Sequence, residues 1–562
     1  MSRLSACVSL CVVAVLAVSC TPTVSGPALP RPTPLAAPAS TTTLAVTTTE
    51  AASEEDAATV TCPTEFCLVY HIDRSASWSD GQAVTASDFA YTAAVLSGIP
   101  GGETDGYRQI EQVDTLDTKT ARVVFRDSYG PWQTLFKRVF RDGQATDDVD
   151  DIDTTGPFAF VEWQEGESIT LQRKRAWWGD VDPISGNALG DVTEIRFVFL
   201  NTLEEMVDAL ENDEVDVISA RPDADTVTRL GEMAEIEMTV APGPFWEHID
   251  FHHDDPILSQ RWAREVVSLA IDREEILDAT VRLVDPTAAV LDNTVWMSGS
   301  PHYEAHFDDV YDPERAREVL EENGCAQGDD GVYVCLGRRM SFVWASTNDD
   351  PARQVIFETV REDLIEVGIE LVAAFRSPSE FVTRDFLFGG PDVWQLVNFS
   401  WRARSDPSMA NPTYYCDDAG ALNVNRYCSS AVESSIRSTG SIVDPVERAA
   451  VYNTADRRYL EDLAVIPLYQ KPTLMAWDTQ LTGPDPNYTF SADLWDVASW
   501  SGLDTIVVGL PAEPATMSPL SQIDDSANII LGALLYGAFG MDVSQEYQPV
   551  LVDSVEVIED SG

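Results

Sequence analysis

The chain opens with an uncharged apolar run from Leu4 to Val18, preceded by Arg3. This run is shorter than the roughly 18 to 20 residues that span a bilayer, so it reads as a secretion signal. Periodicity then disappears over residues 21–59, where Thr, Pro, Ala, Ser and Val dominate before the acidic Glu54-Glu55-Asp56. A segment this poor in large apolar side chains cannot offset the entropy of ordering, which predicts a disordered tether over 20–59. Its r.m.s. reach would be about 35 Å. From Phe66 a new pattern begins: Phe66, Leu68, Tyr70 and Ile72 alternate with Cys67, Val69 and His71, the period-two signature of a half-buried strand. Asp80-Gly81 predicts a turn, and Thr85 or Ser87 caps a helix whose first turn carries Asp88. Phe245 to Phe251 predicts a strand leading into a loop. A further helix is complete in its local chemistry: Asp312 as N-cap, Pro313 in the first turn, Val319 and Leu320 inward, Gly324 as stop.

Composition narrows the class. At 562 residues and 44% apolar, the chain buries several cores and forms a multi-lobed globular protein. Thirty-six basic residues against ninety-three acidic ones give a formal charge of −57, a field that repels phosphate backbones and excludes nucleic acid as a partner. Most of those carboxylates are expected on solvated faces. The segment Leu16-Ala17-Val18-Ser19-Cys20 resembles the lipobox of bacterial lipoproteins, which implies a signal peptide over 1–19 and lipidation of Cys20; an ordinary signal with an incidental cysteine is the alternative. Of nine cysteines, six remain beyond Cys7, Cys11 and Cys20, in sequence-local pairs: Cys62 with Cys67, Cys325 with Cys335, Cys416 with Cys428. Six cysteines allow fifteen connectivities, and nearest-neighbour pairing into three structural disulfides is the expected one.

Catalytic signatures are missing: no GxSxG, HExxH, Walker loop or GxGxxG after a strand occurs. His248, His252 and His253, followed by Asp254 and Asp255, have the composition of a metal site, and His302 with His306 would share a face if helical. The strand-then-loop pattern at Phe245–Phe251 and the turn Ser298-Gly299-Ser300-Pro301 argue against both. No enzyme, metal or cofactor is expected.

The string Trp78-Ser79-Asp80-Gly81-Gln82-Ala83-Val84-Thr85-Ala86-Ser87-Asp88-Phe89 resembles the signature of the family 5 extracellular solute-binding proteins, the oligopeptide-, dipeptide- and nickel-binding components of ABC importers. Further landmarks stand in the family's order. Thr155-Gly156-Pro157-Phe158 with Leu171-Gln172-Arg173 and Trp177-Trp178-Gly179 is similar to one strand pair, and Glu214-Val215-Asp216 to a corner. Leu269 to Ile276 and Tyr311 to Gly324 resemble two helices, and Ala464 to Tyr469 a returning strand. The resemblance covers roughly residues 66 to 500. It departs in one respect: the opening strand expected before the first motif is replaced by the tether, whereas Thr505 to Leu520, Asn528 to Phe539 and Glu546 to Ser554 resemble that missing opening. A circular permutation is inferred, cut in a hairpin between Gly562 and Cys62 and joined through Ser501–Asp504; a truncated tandem is the alternative. It predicts that Val555 and Val557 lie on a strand paired with Phe66–Ile72.

The resemblance implies an α/β, two-lobed, type II periplasmic-binding-protein-like fold with an extra domain, holding ligand between lobes. Expected boundaries are 60–156 plus 543–562 for the extra domain, 157–244 plus 474–542 for lobe 1, and 245–473 for lobe 2. Peptide binders of the family place an aspartate shortly before an acidic-Pro pair to hold the peptide amine. Here the pair is Asp406-Pro407, that aspartate is absent, and Arg402 and Arg404 stand in its neighbourhood. In the cleft these guanidiniums favour a carboxylate or phosphate; outside it they are surface ion-pair partners. Trp394 and Trp401 are candidate cleft walls, with a core role the alternative for Trp394. Candidate ligand contacts are therefore Trp394, Trp401, Arg402, Arg404, Asp406 and Glu513. The implied function is a monomeric, lipid-anchored receptor on the extracellular face of the membrane, passing a peptide-like or anionic solute to an ABC permease. A non-transport envelope lipoprotein on the same fold is the alternative.

Overall fold

The computed structural model describes residues 61–559, apart from 100–101, 145–148, 150–151, 309, 405, 417–421, 486–493 and 521–523. The signal run, Cys20 and the 20–59 segment lie outside the described residues.

Four sheets order the chain. The first has the order β19-β1-β3-β2, from β1 (Phe66–Ile72), β2 (Ile110–Asp117), β3 (Thr120–Phe125) and β19 (Val552–Glu559). Val557 stands opposite Leu68 and Val555 opposite Tyr70, as the sequence predicts. With β3 on its other edge, β1 is interior, and both Leu68 and Val69 are fully buried. The expected half-buried strand is thus closed on both faces. Its core of Phe66, Tyr70, Phe89, Phe136 and Leu551 joins the two ends of the chain.

The Trp78 motif has a local structural role. Helix Ala86–Ser97 starts where Thr85 N–H donates to Asp88 Oδ2 at 2.7 Å. The same buried carboxylate accepts from Trp78 Nε1 at 3.3 Å and from Asp142 N at 2.8 Å. Helix Pro313–Glu322 follows its expected signals: Asp312 accepts from Arg315 N at 2.8 Å, and Gly324 takes φ +75°, which favours glycine.

The main sheet has ten strands: β4 (Phe158–Gln164), β5 (Ser168–Arg173), β6 (Glu194–Phe199), β7 (Val217–Ala220), β8 (Ile236–Phe251), β12 (Ser341–Thr347), β13 (Glu370–Arg376), β14 (Leu396–Arg402), β15 (Val465–Asp478) and β16 (Thr505–Leu510). Its order is β13-β12-β14-β8-β15-β7-β16-β6-β5-β4. Two small sheets complete the set, one of β9 (Ala326–Gln327), β10 (Tyr333–Cys335) and β11 (Arg338–Arg339), the other of β17 (Phe539–Met541) and β18 (Tyr547–Pro549). Strand β16 lies between β6 and β7, parallel to both, so a segment from the end of the chain sits centrally.

Two long strands join the lobes. β8 pairs along its C-terminal half with β14, and β15 pairs along its C-terminal half with β7, while β8 and β15 run antiparallel throughout. Their register shifts between Pro467 and Tyr469 and again between Gln470 and Pro472. Proline donates no ladder hydrogen bond, which accounts for irregularity at this crossing. One core, with Ile249, Val266, Phe342 and Leu364, lies to one side; another, with Ile169, Phe197, Ile506 and Leu531, lies to the other. The disulfides are Cys62–Cys67, Cys325–Cys335 and Cys416–Cys428, the nearest-neighbour set. Among the described residues no helix is long and apolar enough to cross a membrane.

Candidate functional site

A cavity of about 250 Å³ is lined by residues between Phe245 and Lys471, joined by Arg221 from the end of β7. The alternation of β8 builds one wall, because Trp246, His248 and Asp250 project to the same face. The register of β14 sets Trp401 opposite Trp246 and Phe399 opposite His248. Rings therefore cluster: His248 lies 4.5 Å from Phe399 and 4.8 Å from Trp246, and Phe399 meets Trp401 edge-on at 5.0 Å. His248 Nε2 is 3.2 Å from Asp250 Oδ2, and Asn425 donates to Asp250 Oδ1 at 2.9 Å. This wall offers aromatic faces to an apolar or planar group.

The other phase of β8 carries Glu247, a fully buried carboxylate. It accepts from Arg353 Nη2 at 3.0 Å, Ser400 Oγ at 2.7 Å and Asn398 Nδ2 at 3.0 Å, and pairs with Lys471 Nζ at 2.7 Å. Burial alone would raise its pKa, but Arg353 and Lys471 outweigh that and hold it well below the usual carboxylate range. Lys471 also binds Asp350. This polar cluster fixes β8, β14, β15 and helix Pro351–Glu366 beside the cavity.

The sequence-predicted residues divide. Trp401, Arg402 and Arg404 line the cavity. Arg402 Nη1 also meets Asp525 Oδ1 at 2.6 Å, and its guanidinium lies 5.5 Å from the Phe245 ring. Asp406 is turned to Arg448, which donates to it at 2.7 Å, and it caps the 3-10 helix Pro407–Tyr414 by accepting from Ser408 N at 2.9 Å. Burial would raise Asp406, yet Arg448 brings it below its ordinary value. Its neighbour Pro407 lines the cavity in its place. Trp394 is fully buried outside the lining, donating from Nε1 to Phe386 O at 3.1 Å and packing 4.7 Å from His252. Glu513 is also outside, accepting from Trp163 Nε1 at 2.8 Å and Gly166 N at 2.9 Å to fix the β4–β5 turn.

The histidines disperse rather than converge. His252 bonds Gly389 O at 3.1 Å and His253 bonds Ala464 O at 3.2 Å; burial pushes His253 down to about 3. His306 Nδ1 lies 2.7 Å from Asp456 Oδ2. Sequence reasoning missed Arg221, Phe245, Trp246, Arg353 and Lys471 as cavity residues. A usable signal existed at two positions: Glu247 follows Phe245-Trp246 and Lys471 is the one basic residue of a largely apolar strand, places where a charge demands a partner.

Comparison with known proteins agrees with this architecture. The sequence profile of the bacterial extracellular solute-binding proteins, family 5 (middle), matches residues 66–421. The oligopeptide-binding protein OppA of Mycobacterium tuberculosis H37Rv is 24% identical over 435 residues, covering 73% of this chain and 70% of that protein. The dipeptide-binding protein of Pseudomonas aeruginosa PAO1 is 21% identical over 321 residues, covering 56% and 55%. Among solved structures, the periplasmic EDTA-binding protein EppA superposes with a TM-score of 0.65 at 20% identity, over 77% of this chain and 84% of that one. The oligopeptide-binding protein AppA of Bacillus subtilis, in complex with a nonapeptide, gives 0.56 at 17% identity, over 78% and 88%. With its profile matched over more than half its length and its fold shared with these structures, the chain belongs to the bacterial extracellular solute-binding proteins of family 5.

Proposed function

We propose that this protein is the lipid-anchored receptor of an ABC importer, capturing a peptide-like, anion-bearing solute in the hinge cavity and presenting it to a membrane permease. The observation that carries the reading is the cavity itself: aromatic faces on one wall and guanidiniums in its lining, beside the two strands that join the lobes. The relatives' printed names, oligopeptide- and dipeptide-binding, support a peptide-like solute. Arg402 and Arg404, lining the cavity before Asp406-Pro407, favour an anionic group and disfavour a free amine. Calorimetric titration with tripeptides tests this. N-acetylated tripeptides are expected to bind at least as tightly as those with free amino termini, and a strong preference for the free amine overturns the reading. Cys20→Ser is expected to abolish detergent partitioning without changing affinity; unchanged partitioning refutes the anchor.

We further infer that the chain is a circular permutant. Strand β19 beside β1, and β16 between β6 and β7, support it, because the last sixty residues complete both sheets. A chain rebuilt to begin at Leu503, with its present C-terminus linked to Cys62, is expected to fold with unchanged thermal stability. Failure to fold would argue for a tandem remnant.

A further inference from the structure

Five cations line the hinge cavity, and four have company. Arg353 and Lys471 are held by Glu247, Arg402 by Asp525, and Arg404 has an interaction of its own. Arg221, which directly follows β7, is different: among the described residues it makes no hydrogen bond or ion pair, although ninety-three acidic residues are available in the chain. Its contact is with the Phe245 ring, 5.6 Å from the guanidinium carbon. Arg402 approaches the same ring at 5.5 Å.

These two guanidiniums come from opposite lobes. Arg221 extends from β7, whose neighbours are β15 and β16, whereas Arg402 ends β14, on the far side of β8. Phe245 is on β8 itself, at the stretch where the strands cross between lobes. Asp525 begins the helix Asp525–Leu534, which packs in the core that includes Ile506, so the Arg402–Asp525 pair also runs between lobes. A carboxylate is thus already bound to one of the two guanidiniums, while the other stands open. A guanidinium's planar fork suits a carboxylate, and two forks held against one ring suit it better than either alone.

We propose that Arg221 and Arg402 form a two-lobe clamp for a carboxylate of the solute, with Asp525 as the resident carboxylate that occupies the Arg402 half when no solute is bound. The clamp rests on the solute-binding reading above and adds to it the residue that recognises the acid and the residue that competes with it.

The test compares two ligand sets on the whole protein by calorimetry: a mixture of N-acetylated tripeptides as free acids, and the same tripeptides as C-terminal amides. The wild type is expected to bind the acids at least about tenfold more tightly than the amides, the scale of one charge-assisted hydrogen bond. Arg221→Gln is expected to bring acids and amides to within about twofold of each other, and Arg221→Lys to fall between, since it keeps the charge and loses the fork. Asp525→Asn is expected to tighten the acids about threefold and leave the amides unchanged. Arg221 is exposed, so its variants should fold as the parent does. A full preference for acids retained in Arg221→Gln, or unaltered acid binding in Asp525→Asn, overturns the clamp while leaving peptide capture standing. Failure of the wild type to bind either set overturns the peptide reading and the clamp together.

Discussion

Replacing Glu247 by Gln removes the one anion that both Arg353 and Lys471 contact in the interior of the hinge. The carboxylate is fully buried and Lys471 nearly so, and removing one partner of such a pair costs roughly 3–5 kcal/mol because the other charge stays desolvated. Two features place this case at the lower end: Gln keeps one acceptor oxygen, enough for Ser400 or Asn398 though not for both, and Asp350 still binds Lys471. The expected loss is about 3 kcal/mol at pH 7, read as a shift of the urea midpoint with unchanged m-value. The pH dependence gives a second arm. Glu247 has a folded pKa held below its ordinary value of 4.5, so its stabilisation is present above that value and disappears as pH falls toward the folded pKa. The gap between wild type and Glu247→Gln should therefore be constant from pH 5 to 8 and narrow below about pH 4.5. A loss under about 1 kcal/mol, the scale of an exposed ion pair, or a gap independent of pH down to acid unfolding, refutes a desolvated cluster.

Asp406→Asn leaves Arg448 buried without its carboxylate and is expected to cost about 3 kcal/mol in urea unfolding, whereas a loss near zero would show that water reaches the pair. Cys325→Ser with Cys335→Ser opens a ten-residue loop and is expected to lower stability by about 3 kcal/mol, checked against wild type in reductant. Asp496 is raised to about 8, mainly by burial, so the folded state holds its proton where the unfolded chain has lost it. Stability should then fall as pH rises from about 4 to about 8, by at most about 1.4 kcal/mol per pH unit from this group, and Asp496→Asn should flatten the profile.

Local chemistry was the most legible part of the chain. The capping residues Thr85 and Asp312, the glycine stop at Gly324 and the three cysteine pairs each act within about a dozen residues of sequence, so pattern and spacing contain the outcome. Pairing of β19 with β1 was also readable, through the resemblance of residues 505–554 to the family's missing opening, which placed Val555 and Val557 beside Phe66–Ile72. What escaped is whatever the register of distant strands decides. Asp406 looked like part of a ligand motif, but its partner Arg448 comes from helix Pro445–Glu461 and turns it away from the cavity. Glu513 was bound by a turn whose Trp163 and Gly166 lie some 350 residues away in sequence. Arg221 had no motif at all; only the adjacency of β7 and β15 brings it to Phe245.

With the proposed clamp, recognition and hinge geometry share residues. Pro467 and Pro472 flank the register shifts of β15, and between them Tyr469 pairs with Glu247 and Gln470 with Trp246. The irregular stretch that sets how one lobe sits against the other therefore also positions an aromatic wall residue and the carboxylate that anchors Lys471. A solute that touches Arg221 on one side and Arg402 on the other gains both contacts only when the lobes hold those guanidiniums over the same ring. Its binding free energy then differs between lobe arrangements, which is the condition for a ligand to shift a conformational population rather than merely occupy a pocket. Asp525 works within the same condition, since its bond to Arg402 also joins the lobes and stabilises, in the absence of solute, an arrangement the solute would use. The two effects oppose each other in solute affinity, and competition for the Arg402 fork is the larger, so removing the Asp525 carboxylate tightens binding even though it gives up a bond between the lobes.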